Sequence, residues 1–125
     1  MFMTTLQVAI GGAIGAALRF LLGHAVFKAA GPGFPLGVLS VNILGSFAMG
    51  LFVVFAAKTA NTHLSPFVMT GILGGFTTFS AFSLEAYTLF ERGQTGAAAL
   101  YVGLSVTLSI AALVAGIALA RGVWA

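Results

Sequence analysis

Cysteine is absent from this chain, tryptophan occurs once, proline three times, and of 125 residues only five are Lys or Arg and two are acidic. Without cysteine there is neither a disulfide nor a thiolate metal site, and the redox compartment is left open. Soluble domains carry roughly a quarter charged residues, so a content of 6% excludes an ordinary cytosolic enzyme, a disordered tail and a secreted scaffold. The two histidines, at positions 24 and 63, lack any partnering cluster. The cations at 19, 28, 58, 92 and 121 form no basic patch, so the net charge of +3 does not point to nucleic acid. The length suits a single domain, residues 1–125.

What the chain has in abundance is apolar residues, 60% of the total, and 17 glycines. The charges separate runs close to the roughly 20 residues that a helix needs to cross hydrocarbon. Four spans follow: Met3 to Phe27, Leu36 to Ala57, Phe67 to Phe90 and Ala97 to Ala120. Gly31-Pro32-Gly33-Phe34-Pro35, Asn61-Thr62-His63-Leu64-Ser65-Pro66 and Glu91-Arg92-Gly93-Gln94 supply turn chemistry between them. The fold class is therefore an all-α membrane protein of four transmembrane helices in a lipid bilayer. The first span is too long for a signal peptide and has no basic segment before it, so it is expected to remain in the mature protein.

With four crossings, Lys58 and Arg121 fall on one side and Lys28 and Arg92 on the other, two against two; Arg19, deeper in its span, adds a weak third to the second side. Orientation follows an excess of Lys and Arg on cytoplasmic loops, and this chain offers almost none. Either a partner sets its topology, or the chain inserts both ways and assembles as an antiparallel (inverted) homodimer. Gly11 to Gly15 and Ser46 to Gly50 are small-xxx-small ridges, which speak for close helix packing.

Polar residues inside a membrane are costly and mark pathways or packing. Asn42 suits an interhelical hydrogen bond or a site reached by a cavity. Tyr101, Ser105 and Ser109 follow i, i+4, i+8 spacing and form one hydroxyl stripe, with Thr107 on another face. In the third span Gly74-Gly75, at about 1 kcal/mol each against Ala, precede Thr77-Thr78-Phe79-Ser80-Ala81-Phe82-Ser83. A break in helix 3 is expected there, and the freed backbone groups must be satisfied by protein, water or an ion. In an inverted dimer two such breaks would meet, and their carbonyls would suit a small cation. Phe79 and Phe82 share a face beside Ser80 and Ser83. Ring edges carry the positive end of the aromatic quadrupole, so edges and hydroxyl donors together suit an anion. No nucleophile-base pair, phosphate loop or metal-ligand cluster is present, and an enzyme is not expected. Arg19 either snorkels or raises anion concentration in an aqueous vestibule, and Glu85 is expected to support that vestibule.

Gly74-Gly75-Phe76-Thr77-Thr78-Phe79-Ser80-Ala81-Phe82-Ser83 with Glu85, Val41-Asn42 with Gly45, and Gly11-Gly12-x-x-Gly15 with Leu18-Arg19 together resemble the Fluc (CrcB) family of small bacterial fluoride channels over nearly the whole chain. The resemblance implies an antiparallel dual-topology homodimer in the bacterial inner membrane, exporting cytoplasmic fluoride passively and so lowering its toxicity. It also implies a structural Na⁺ at the dimer centre, held by the backbone carbonyls of Gly74 and Thr77. Phe79 and Phe82 would be pore phenylalanines, Asn42 a pore donor, and Ser80 and Ser109 part of a polar track that Tyr101 extends. Ala81 and Leu113 depart from positions where relatives often carry hydroxyls. The alternative is a proton-coupled small multidrug exporter of similar size and topology. Such exporters share a membrane-embedded Glu on the first helix, where this chain has Arg19.

Overall fold

The computed structural model describes residues 1–124. Helix α1 covers Phe2–Ala30 and α2 Leu36–Lys58. A 3₁₀ turn, Thr62–Leu64, and a π-helical segment, Pro66–Leu73, run into the short α3, Gly74–Phe76; α4 covers Phe79–Glu91 and α5 Thr95–Val123. Phe2–Ala30, Leu36–Lys58, Thr62–Glu91 and Thr95–Val123 are each long and apolar enough to cross a membrane. The chain is a multi-pass membrane protein with an all-α fold.

These helices outrun the apolar spans at most ends. Hydropathy marks the hydrocarbon, whereas hydrogen bonding carries the helix on into the headgroup layer. A helix of 29 residues such as α1 is about 44 Å long, close to a bilayer with its headgroups. Lys28 and Arg121 sit in the last turns of α1 and α5, where a cation complements the helix dipole. Gly31 ends α1 with a positive φ of 79° that glycine adopts without a side-chain penalty, and its N–H donates to the Phe27 carbonyl at 2.7 Å.

In lipid, helices associate through close packing rather than hydrophobic burial, and the glycines set where they touch. A Cβ on Gly11 would run into the Phe67 carbonyl and lie 3.0 Å from Gly71 Cα; one on Gly75 would lie 2.6 Å from the Gly12 carbonyl oxygen. The Gly11–Gly15 ridge of α1 thus interlocks with Gly71 and Gly75 of the third span. Between α2 and α5 the same holds at Gly50, whose Cβ would lie 3.2 Å from Gly116 Cα. Helix α2 is central, packed against both α1 and α5; the first half of the third span lies along α1, and α4 lies against α5. Leu39, Leu89, Ala98 and Tyr101 form a buried cluster where α2, α4 and α5 meet.

The third span is broken, but not at its glycine pair. Gly74 and Gly75 remain helical, and the chain turns extended at Thr77 (φ −89°, ψ 159°) and Thr78 (φ −151°, ψ 122°). The glycines serve contact with α1, while the two threonines carry hydroxyls that replace lost helical bonds. Thr77 Oγ1 donates to the Leu73 carbonyl at 3.0 Å, and Thr78 Oγ1 caps α4 by accepting from Ala81 N at 3.1 Å. The break carries the span from the α1 side of the bundle to the α5 side.

Candidate functional site: two clefts meeting at the helix break

Extended backbone at Thr78 leaves a peptide N–H and C=O without helical partners, and Asn42 takes both. Thr78 N donates to Asn42 Oδ1 at 2.8 Å, and Asn42 Nδ2 donates to the Thr78 carbonyl at 3.1 Å. The backbone partners fix which end of the amide is oxygen. Of the two open readings, Asn42 makes the interhelical hydrogen bond, and one of its two Nδ2 hydrogens is left over for another acceptor. Arg19 Nε donates to the Gly75 carbonyl at 3.0 Å, placing a cation at the C-terminal end of the first half-helix, where the dipole favours it. Arg19 therefore does more than snorkel: it closes one of the carbonyls that the break exposes. Among the described residues, the carbonyls of Gly74, Phe76 and Thr77 receive no hydrogen bond.

Two clefts meet at Thr78, which lines both. The inner cleft, about 450 Å³, is bounded by Asn42, Thr77, Phe79, Phe82, Ser105 and Ser109, with Met49, Ile110 and Leu113 among its apolar wall, and no charged residue lines it. Phe79 and Phe82 stand 5.4 Å apart between ring centroids at 51°, and Phe82 lies 5.4 Å from the ring of Tyr101. Phe34 meets the far side of Tyr101 edge-on at 5.6 Å and 84°. Tyr101 is fully buried, and neither its hydroxyl nor the buried Ser105 hydroxyl has a hydrogen-bond partner. An unpaired buried hydroxyl costs about 1–3 kcal/mol, and these two, one helical turn apart, have at most each other, so at least one proton is left to donate.

The outer cleft, about 420 Å³, opens at the α1–α2 connection and is lined by Arg19, His24 and Glu85 together with residues from Gly31 to Val38. Arg19 and Glu85 share this cleft.

Asn42, Thr77, Phe79, Phe82 and Ser109 are thus brought together, and Tyr101 stands directly behind Phe82. Ser80 is not part of this group: it is exposed, its Oγ 3.2 Å from Thr78 Oγ1. Gly74 is exposed as well, and Phe79 is 78% exposed. Thr78 and Ser105 also belong to the site, although neither is named among the pore residues at the sequence level. Ser105 was legible as the middle of the α5 hydroxyl stripe; nothing local distinguishes Thr78 from Thr77.

Comparison with known proteins places the chain in a family. Residues 6–117 match the family model described as CrcB-like protein, Camphor Resistance (CrcB). The chain is 69% identical over 124 residues to the fluoride-specific ion channel FluC of a Ruegeria species, covering 98% of each chain. It is 63% identical over 119 residues to the FluC of Roseobacter denitrificans, 94% of each chain, and 51% identical over 119 residues to that of Agrobacterium fabrum, 94% of this chain and 95% of that one. With nearly the whole of its length matched in this way, the chain belongs to the CrcB family.

Proposed function

We propose that this chain is a passive fluoride channel of the bacterial inner membrane, working as an antiparallel homodimer and lowering cytoplasmic fluoride. The observation that carries this reading is the inner cleft, where the unpartnered Ser105 hydroxyl, Ser109, the Asn42 amide and phenylalanine rings converge without a fixed charge, with Tyr101 buried behind Phe82. Stripping water from a small anion costs tens of kcal/mol, so a pore must replace that water with donors along the route. Ser105, Ser109, Tyr101 and the remaining Asn42 N–H are such donors, and the edges of Phe79 and Phe82 present partial positive charge. A fixed cation here would hold the ion too tightly to release it. Neutral donors in series allow both binding and departure.

The same break supports a structural Na⁺. Hard cations favour oxygen ligands, and the C-terminal end of a half-helix concentrates partial negative charge on its carbonyls. Gly74 and Thr77 each have an unpaired carbonyl, and a twofold-related copy would double the set. The ion would fix two chains by their breaks. The exposure of Gly74, Phe79 and Ser80 in a single chain is consistent with a second copy covering that region. The exporter alternative gains nothing from the site: the relatives are named fluoride-specific channels, and α1 carries Arg19 bonded to Gly75 instead of a free carboxylate.

The test is fluoride efflux from proteoliposomes with and without a proton ionophore. Efflux that needs only charge compensation and excludes chloride is expected; equal passage of chloride, or none of fluoride, rejects the proposal. Preparation in Na⁺-free medium throughout is expected to abolish efflux, and full activity without Na⁺ rejects the cation site.

A further inference from the structure

The outer cleft holds a residue that the permeation reading leaves unused. His24 lines it together with Arg19, Glu85 and Thr78. The imidazole stacks on Phe20 one turn earlier, 6.2 Å between centroids and 10° between planes, which holds the ring in place along α1. Five residues separate His24 from Arg19, about 7.5 Å of helix rise toward the membrane surface. His24 therefore stands at the rim and Arg19 at the floor.

The charged groups that face this cleft are few. From α1 there is Arg19, from α4 Glu85, and the lining residues of α2 and of the α1–α2 connection are all uncharged. Lys28, one turn beyond His24, is not part of the lining. With Glu85 ionised, the guanidinium and the carboxylate cancel, and the charge of the cleft is decided by the imidazole. Histidine is the side chain whose charge ordinarily changes between pH 5 and 8.

We infer that His24 is a proton-operated anion recruiter of the outer cleft, so that proton uptake turns a neutral mouth into a cationic one and raises fluoride concentration at Thr78, where the clefts join. The inference rests on the reading of the chain as an anion channel. One unit charge about 10 Å away in water at low salt multiplies the local concentration of a monovalent anion by about two. Screening at about 1 M salt, where the Debye length is about 3 Å, removes the effect.

Electrical recording from planar bilayers tests it, because current counts the ion and not the neutral acid. In symmetric fluoride of about 10 mM, wild-type conductance is expected to rise about twofold between pH 8 and pH 5.5, and to stay level in about 1 M salt. His24→Asn is expected to conduct at both pH values with no rise, and His24→Lys to hold the higher conductance at pH 8. A rise that survives in His24→Asn assigns the proton to Glu85 and overturns the inference, as does a level wild-type profile. Absence of fluoride current in the wild type under every condition overturns the channel reading itself, and this one with it.

Discussion

At the scale of single residues, the break in the third span is held by side chains that answer specific backbone groups. Asn42 is the clearest case, because its amide matches one donor and one acceptor of Thr78 at 2.8 and 3.1 Å. Asn42→Ala leaves both groups unpaired, at about 1–3 kcal/mol each if they stay dry. The expected outcome is a lowered unfolding midpoint in detergent together with loss of fluoride efflux. Asn42→Asp keeps the acceptor for Thr78 N–H but sets a carboxylate oxygen against the Thr78 carbonyl, and is expected to be as damaging despite its similar shape. A wild-type midpoint for Asn42→Ala would show that the break stands without this clamp. That Asn42 mattered was legible in the sequence, since an amide seven residues into an apolar run needs a partner. Which partner was not, because it lies on another helix 36 positions away.

At the scale of elements, the contacts between helices are backbone to backbone, and glycine is required only where a neighbour's backbone occupies the place of a side chain. Gly12 and Gly15 make this distinction within one turn of α1. A Cβ on Gly15 would run into the Ile72 carbonyl and lie 2.8 Å from Phe76 N, whereas one on Gly12 meets nothing within 4 Å. Backbone cannot move aside as a side-chain tip can. Gly15→Ala is therefore expected to separate α1 from the third span, giving aggregated or low-melting protein on size exclusion and thermal unfolding, while Gly12→Ala remains monodisperse. Equal tolerance of both would refute the interlock. The sequence displayed the Gly11–Gly15 ridge but not its complement, and it suggested that Gly74-Gly75 marks the break. Local propensity counts both glycines as helix-breaking; docking against α1 keeps them helical, and the interruption falls to Thr77-Thr78, whose hydroxyls can substitute for the lost bonds.

For the whole molecule, the hydrogen bond from Arg19 to Gly75 removes that cation from the loops, so the topological balance stays at two against two. Small additions should tip it. Thr62→Lys with His63→Lys, both at exposed positions of the second connection, is expected to fix one orientation and abolish efflux when expressed alone. Pro32→Lys with Gln94→Lys, exposed on the opposite side, is expected to fix the other, and co-expression of the two variants to restore efflux. Activity of either variant alone, once its single orientation is verified by reporter fusions at the C-terminus, rejects the antiparallel assembly. The sequence by itself determined that the chain crosses a membrane four times, that it carries no catalytic apparatus and that its interior polar groups are few, with Arg19 and Glu85 the charged ones, because these follow from composition and from the spacing of charges along the chain. Tertiary structure alone decided where the third span breaks, which amide holds it, and that the Tyr101 and Ser105 hydroxyls stay unpaired beside two aromatic rings, because each of these depends on what residues distant in sequence leave for one another once the helices have docked.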